Sequence, residues 1–214
     1  MTPPGARGAV AGHRLARGVI HTAWRPRVLG AWRTPPAGPL ILAVNHTHNV
    51  DGPVLLGTAP RPVRFLIKRE AFVGPLGPFL RGIGQIGVDR EATDLAAVRA
   101  ANGVLERGEV LGIFPEGTRG RGDFAAVRAG LAYFALRSGA PVQPVAVLGG
   151  DRPGRLLRPL PPLRSRVDVV FGEPFTLEGA GGSRRGRAAL DRASAELQAR
   201  LADHVRRARR ATDR

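Results

Sequence analysis

Short apolar runs and longer helical repeats alternate along the chain. The apolar runs predict six strands, at residues 40–44, 63–67, 85–88, 110–114, 142–148 and 166–171. Apolar positions that recur every three or four residues predict helices between them, at residues 50–56, 92–106, 125–137 and 184–210, with a short helix and turn across residues 71–80. Strands that alternate with helices predict an α/β fold with a central mixed, largely parallel sheet flanked by helices.

Residues 10–24 predict an N-terminal helix that carries two apolar stripes. One stripe contains Leu15, Val19 and Ala23, and the other contains Ala16, Ile20 and Trp24. A basic amphipathic helix with Trp at one end is typical of an anchor in the membrane interface. The same pattern also suits a helix that packs on the sheet, so both interpretations stay open on the pattern alone.

Prolines and glycines divide the chain into three predicted segments. Residues 1–39 form a basic amphipathic segment that ends in a proline-rich linker, and residues 40–178 form the α/β core. Residues 179–214 form a glycine-rich linker and a basic C-terminal helix, packed on the core or continuous with it. Residues 149–165, rich in proline and arginine, predict a long loop of the kind that is often functional or mobile.

The charge of the chain is +16 and lies mainly at its two ends. Residues 1–40 hold six arginines and no acid, and residues 184–214 hold ten arginines against four acids. Such ends predict docking onto an anionic surface, either nucleic acid or anionic lipid. Nucleic acid is disfavoured, because aromatic residues make up only 5% of the chain and do not interleave with basic ones.

Composition also limits the chemistry. The chain has no cysteine, which excludes disulfides, a thiol nucleophile and thiolate metal ligands. No apolar run reaches the roughly 18 residues of a membrane span, and no signal-peptide pattern is present at the start. The expected location is therefore cytoplasmic, peripheral on the inner face of the cell membrane.

A polar turn follows the first predicted strand and contains His46 and Asp51. Five residues span about 500° on a continuous helix, so the two side chains can meet only if the chain bends between them. With Asn49 as N-cap and a helix from Val50, Asp51 would reach the imidazole from the first helical turn. A histidine held by a carboxylate is a candidate general base.

A second polar turn, residues 116–119, follows a later strand and offers an acid, backbone N–H groups and a guanidinium. Arg119 matches the geometry of a phosphate, and Glu116 can accept a hydrogen bond from a hydroxyl. Lys68 and Arg90 add positive charge at the same predicted edge of the sheet. A base beside a phosphate clamp, without a cysteine or a serine nucleophile elbow, indicates an enzyme that acts on a bound phosphorylated alcohol.

Four motifs resemble, in order, those of the glycerolipid acyltransferases, the NHxxxxD family that includes 1-acylglycerol-3-phosphate acyltransferase. They are Asn45-His46 with Asp51, Lys68 to Arg90, Phe114-Pro115-Glu116-Gly117-Thr118-Arg119 (the FPEGTR motif), and Gly139 to Val145. The resemblance implies that His46 is the base and Asp51 its partner. It implies substrate-binding roles for Glu116, Gly117, Thr118, Arg119, Arg90 and Lys68, and an acyl-pocket role for Pro141.

The resemblance also implies a reaction. A fatty acyl group would pass from acyl-CoA or an acyl-carrier protein to the free hydroxyl of 1-acylglycerol-3-phosphate, giving phosphatidate, with no cofactor beyond the thioester co-substrate. Expected partners are the lysophospholipid, the acyl thioester, an anionic membrane surface and an acyl-carrier protein, but not nucleic acid. His48 and Gln143 depart from the usual motifs and bear on the preferred acceptor and acyl chain.

Three alternatives stay open at this stage. The same chemistry could act on another lyso-lipid, such as an aminolipid or a glycolipid. The chain could also be a non-catalytic basic module that binds membrane or nucleic acid. A metal site is not expected, because the grouping of His46, His48 and Asp51 lacks further ligands nearby.

Overall fold

The computed structural model describes residues 6–89, 94–117, 121–149, 161–181 and 186–214. Seven strands form one sheet in the order β1-β7-β6-β2-β5-β3-β4. They are β1 (Arg25–Leu29), β2 (Leu40–Val44), β3 (Val63–Lys68), β4 (Ile86–Val88), β5 (Val110–Ile113), β6 (Val142–Leu148) and β7 (Arg166–Phe171). Strands β2 to β6 run parallel, whereas β7 is antiparallel to β6 and carries β1 beside it in parallel. The predicted mixed, largely parallel sheet is confirmed.

Six α-helices accompany the sheet in the described part of the chain. They are α1 (Ala6–Ala23), α2 (Asp51–Thr58), α3 (Leu76–Gly82), α4 (Leu95–Glu106), α5 (Ala129–Ser138) and α6 (Arg187–Thr212). Helices α1 and α2 pack on one face of the sheet, and α4, α5 and α6 pack on the other. Alternate residues of β2 enter the two cores, so all five are buried, as expected for a central strand covered on both faces.

Helix α1 uses its two apolar stripes differently. Ile20 and Trp24 are buried in the core between α1, α2 and the sheet, whereas Leu15 and Val19 are 54% and 53% exposed. The approach to α2 is close, because a Cβ added at Gly57 would lie 2.7 Å from the carbonyl oxygen of Ala16. One stripe therefore packs on the protein and the other faces outward. No helix among the described residues is long and apolar enough to cross a bilayer.

Strand β1 is absent from the prediction, which ended the N-terminal helix at residue 24, before Pro26, and placed the residues up to 39 in the amphipathic segment and its linker. The strand lies at the edge of the sheet, and among the described strands it pairs with β7 alone. Proline lacks a backbone N–H and is tolerated in an edge strand, where one side of the strand has no partner. Its strand position thus depends on tertiary placement and not on local propensity.

Helix α5 begins later than predicted. The pattern placed a helix from residue 125, but the structure starts it at Ala129. Arg128 is extended, and its backbone N–H donates to the carbonyl of Pro115 at 2.8 Å. This bond ties the segment before α5 to the chain that leaves β5.

Candidate active site

Asn45 fixes the end of β2 against β6. Its side-chain oxygen accepts the N–H of Val147 at 2.7 Å, and its side-chain nitrogen donates to the carbonyl of the same residue at 3.1 Å. Asn45 is fully buried, so both bonds satisfy groups that water cannot reach. The backbone is therefore held firmly immediately before His46.

Asp51 folds the next turn back on itself. Its Oδ2 accepts the backbone N–H groups of Thr47 and His48, each at 2.7 Å, and lies 3.1 Å from Nδ1 of His46. The carboxylate is almost completely buried, at 2% exposure. These bonds bend the chain between His46 and Asp51, and the two side chains meet as the spacing predicted.

The predicted N-cap is wrong. Helix α2 begins at Asp51 with Val50 as N-cap, and no side chain caps it. The Asp51 carboxylate itself accepts hydrogen bonds from the N–H groups of the turn that precedes the helix, so Asn49 does not act as the cap. A carboxylate in the first turn also interacts favourably with the positive end of the helix dipole.

His46 presents one ring nitrogen to Asp51 and keeps the other available. With Nδ1–H donating to the carboxylate, Nε2 carries the lone pair that can take a proton. The ring packs on Phe114, with centroids 4.3 Å apart. Phe114 follows β5 directly, so this contact joins the first and third motifs.

Glu116 lies beside the backbone of His46. Burial raises the pKa of its carboxyl group, although nearby backbone N–H groups of Phe124 and His46 act in the opposite direction. Its Oε1 is buried and has no hydrogen-bond partner among the described residues. A partly desolvated carboxylate with a free oxygen can accept a hydrogen bond from a bound hydroxyl.

Gly117 continues the turn in a left-handed conformation, with φ of +73°. Its N–H donates to the carbonyl of Phe114 at 3.1 Å. Three further predicted site residues, Arg90, Thr118 and Arg119, lie outside the described residues. Their assignment to the site stays a prediction.

Lys68 and Pro141 lie at opposite ends of the sheet. Lys68 ends β3 and is exposed at the same edge as His46, two strands along. Pro141 precedes β6, where its carbonyl accepts the N–H of Ile41 near the start of β2. Five residues separate Ile41 from His46, which is about 16 Å along a strand. The structure therefore does not bring Pro141 to the site.

A cavity of about 420 Å³ lies next to the third motif, and no pattern in the sequence predicts it. Apolar side chains from three strands and two helices form most of its wall, namely Leu66, Val88, Val98, Ile113, Phe114, Leu131 and Phe134. Asp89, Asp94 and Arg128 supply its polar lining. Phe114 thus contacts the imidazole and also lines the cavity. Within the described ranges, no group of three His, Asp or Glu residues could hold a metal ion.

Comparison with known proteins identifies the family. Residues 25–148 match the acyltransferase family. The 1-acyl-sn-glycerol-3-phosphate acyltransferase of Bacillus subtilis is 29% identical, over 66% of this chain and 69% of that protein. The lyso-ornithine lipid O-acyltransferase of Pseudomonas aeruginosa is 32% identical, over 78% of this chain and 67% of that protein.

A solved structure shares the fold. The crystal structure of the 1-acyl-sn-glycerophosphate acyltransferase PlsC from Thermotoga maritima superposes with a TM-score of 0.65 at 21% identity, covering 94% of this chain and 79% of that one. The family match spans the turn with His46 and Asp51 and the turn that begins at Glu116. The chain therefore belongs to the acyltransferase family and is an O-acyltransferase.

Proposed function

We propose that the protein moves a fatty acyl group from a thioester, acyl-CoA or an acyl-carrier protein, to the free hydroxyl of 1-acylglycerol-3-phosphate, giving phosphatidate. The observation that carries the proposal is the contact of His46 with the buried carboxylate of Asp51. It leaves Nε2 as a base at the edge of the sheet, on the turn that the family match includes. Similarity to enzymes named for a lysophospholipid acceptor supports the choice of substrate.

The reaction needs no enzyme nucleophile. Nε2 of His46 takes the proton of the acceptor hydroxyl as its oxygen attacks the thioester carbon. The C–S bond then breaks, and the leaving thiolate takes up the proton from the imidazolium. Asp51 holds the imidazole in the required tautomer and stabilises its charged form, because its carboxylate stays in contact with Nδ1 throughout.

The acyl chain of the donor or of the acceptor is assigned to the cavity beside Phe114. The walls are largely apolar, and burial of each CH₂ group contributes about 0.8 kcal/mol. Phe114 connects the cavity with His46, so a chain in the cavity would have its reacting end near the base. The position of Pro141 at the other end of the sheet gives no support to its predicted acyl-pocket role.

The polar end of the acceptor is assigned to the rim around His46. Glu116 offers a free carboxylate oxygen, and Lys68 is an exposed cation on the same edge. The motif assigns Gly117, Thr118, Arg119 and Arg90 to the same task.

A second candidate acceptor is a lyso-aminolipid. The relative from Pseudomonas aeruginosa is named for lyso-ornithine lipid and aligns over 78% of this chain. The chemistry at His46 would be unchanged, and only the contacts to the head group would differ. A screen that offers both acceptors to the same enzyme separates the two candidates.

We also propose that α1 docks peripherally on the anionic inner face of the cell membrane. The exposed stripe with Leu15 and Val19 lines an open groove together with Leu163, which is 75% exposed. Arg14 and Arg164 flank this groove. An apolar strip between cations fits acyl chains below anionic head groups.

Sedimentation with vesicles tests the docking surface. The double variant Leu15→Glu, Val19→Glu should lose most binding to vesicles that contain phosphatidylglycerol, because each change places a charge in the apolar strip. Leu95→Glu, an exposed apolar position on α4, is the matched control and should bind like the wild type. Equal binding by the double variant and the control would contradict this surface.

Thiol release from palmitoyl-CoA, with and without 1-acylglycerol-3-phosphate, tests the reaction. We expect acceptor-dependent release by the wild type and a loss of about 10²- to 10⁴-fold in His46→Ala, the usual contribution of a general base. His21→Ala, an exposed histidine on α1, should retain full activity. Undiminished turnover by folded His46→Ala would refute the mechanism, and absence of any acceptor-dependent release would refute this pair of substrates.

A further inference from the structure

Arg128 is tied to the third motif through its backbone. Its N–H donates to the carbonyl of Pro115 at 2.8 Å, and its own carbonyl accepts the N–H of Leu131 at 3.3 Å. The residue precedes α5 directly and is extended. Its position is therefore set by main-chain bonds that a substitution of the side chain leaves in place.

The side chain of Arg128 lies against Gly117. A Cβ added at Gly117 would collide with Nε of Arg128, and Cδ and Cζ lie only slightly farther away. Gly117 also has a positive φ, which disfavours any other residue. The glycine of the third motif thus provides the space in which the arginine rests.

Arg128 is an exposed residue, and its guanidinium has no hydrogen-bond or ion-pair partner among the described residues. It lines the same cavity as Phe114, which packs on the imidazole of His46. Asp94, which also lines this cavity, is already bonded to Arg69 at 2.6 Å. A guanidinium offers five N–H donors in a planar fork that matches the oxygens of a phosphate.

We propose that Arg128 is a phosphate-binding residue of the active site. This assignment rests on the proposed function, because both substrates of that reaction carry phosphate. The acceptor has a phosphomonoester next to the reacting hydroxyl, and the donor has phosphates along its carrier arm. The contact with Gly117 places the guanidinium against the turn of the third motif. Phe114 of the same motif packs on the imidazole of His46, so the cation and the candidate base belong to one site.

Steady-state kinetics of Arg128→Gln and Arg128→Lys test the assignment, with each substrate varied in turn. Hydrogen bonds to a charged group contribute about 1.5–3 kcal/mol, so Arg128→Gln should raise the KM of one phosphate-bearing substrate by roughly 10- to 100-fold. The value of kcat should change much less. Arg128→Lys keeps the charge but loses the fork, and should fall between Arg128→Gln and the wild type.

The substrate whose KM rises is the one whose phosphate Arg128 binds. A rise for 1-acylglycerol-3-phosphate assigns Arg128 to the acceptor, and a rise for palmitoyl-CoA assigns it to the donor. Arg137→Gln, an exposed arginine at the other end of α5, is the matched control and should leave both KM values unchanged. Unchanged KM values in folded Arg128→Gln, or a loss confined to kcat, would overturn the proposal.

Two further measurements keep the proposal independent of folding and of the reaction. If Arg128→Gln does not fold, as judged by thermal melting, the KM values of Arg128→Lys decide in its place. If the wild type releases no thiol with any acceptor, the proposed function fails. Calorimetric binding of glycerol 3-phosphate then tests Arg128 alone. Weaker binding by Arg128→Gln supports the assignment, and equal binding or no binding by the wild type overturns it.

Discussion

Basic side chains at the two ends of the parallel strands, which form the two edges discussed here, differ in how many hydrogen-bond partners they have. At the edge away from His46, the Arg61 guanidinium donates to the carbonyls of Pro35, Gly38 and Gly108 at 2.7–3.2 Å. Arg64, only 1% exposed, is equally well bonded: it pairs with Glu109 at 2.6 Å and donates to the carbonyl of Gly84.

At the edge with His46, two cations lack such partners. Neither Arg128 nor Lys68 makes a side-chain hydrogen bond or ion pair in the part of the chain that the structure describes. Buried polar groups are almost always bonded, so arginines with full sets of partners serve the fold. Hydrogen-bond donors that have no protein partner near a candidate base are available to a ligand. The number of protein partners therefore distinguishes arginines that stabilise the fold from those that can bind a substrate.

The largest expected effect is at the edge with His46, from Asp51→Asn. The amide oxygen can still accept N–H groups of the turn, but it carries no charge to stabilise the imidazolium form of His46. We expect kcat for thiol release to fall by about 10²- to 10⁴-fold. The melting temperature should change little. Asp203→Asn, an exposed carboxylate on α6, serves as control, and a kcat within twofold of wild type for Asp51→Asn would show that the contact is structural.

Arg64→Met should affect stability instead of chemistry. Loss of one partner of a buried ion pair costs about 3 kcal/mol, at the low end of the usual range because Glu109 keeps its bond to Arg107. Urea unfolding measures this difference, and kcat of the folded fraction should remain at the wild-type value. Arg200→Met, which breaks an exposed pair with Glu196, should cost less than about 1 kcal/mol. Equal stability of the two variants would show that the buried pair of Arg64 contributes no more to the fold than an exposed pair does.

The smallest expected effect is a dependence of stability on pH through His204. Burial lowers the pKa of this histidine, whose Nε2–H donates to the carbonyl of Val170 at 3.0 Å. Below the unfolded value of about 6.5, the unfolded chain binds a proton that the folded protein does not. The contribution of His204 to the free energy of unfolding is therefore fully present above that pH. It should decrease as the pH drops below it, by at most about 1.4 kcal/mol per pH unit.

Urea unfolding between pH 8 and pH 5 measures the slope. His204→Gln should flatten it, and His21→Gln, at an exposed position, should not. The remaining slope in His204→Gln is assigned in part to His13, whose pKa burial also lowers. A slope that His204→Gln leaves unchanged would show that His204 does not contribute.

Local signals predicted much of the fold and the contact at its centre. Buried runs located six strands, and the five-residue spacing of His46 and Asp51 together with a turn predicted their contact. Features that depend on packing between distant segments were missed. The pattern placed Arg128 inside a helix, and only its bond to the carbonyl of Pro115 and its contact with Gly117 bring it to the site.

Other misses have the same origin. Strand β1 contains Pro26, which signals a helix end locally and becomes acceptable only at an edge next to β7. Asn49 was a plausible cap by type, but Asp51 reached the same turn from the other side. The assignments of Arg90, Thr118 and Arg119 stay predictions.

Lys68 gives this protein a chemical handle. It is the single lysine among 33 basic residues, and it stands exposed where β3 ends, on the edge that carries His46. Amine-reactive reagents modify lysine and leave arginine untouched, so the only side chain that they can label is at the rim of the site. A fluorophore or a cross-linker attached there would report directly on occupancy of the site, without any engineered residue.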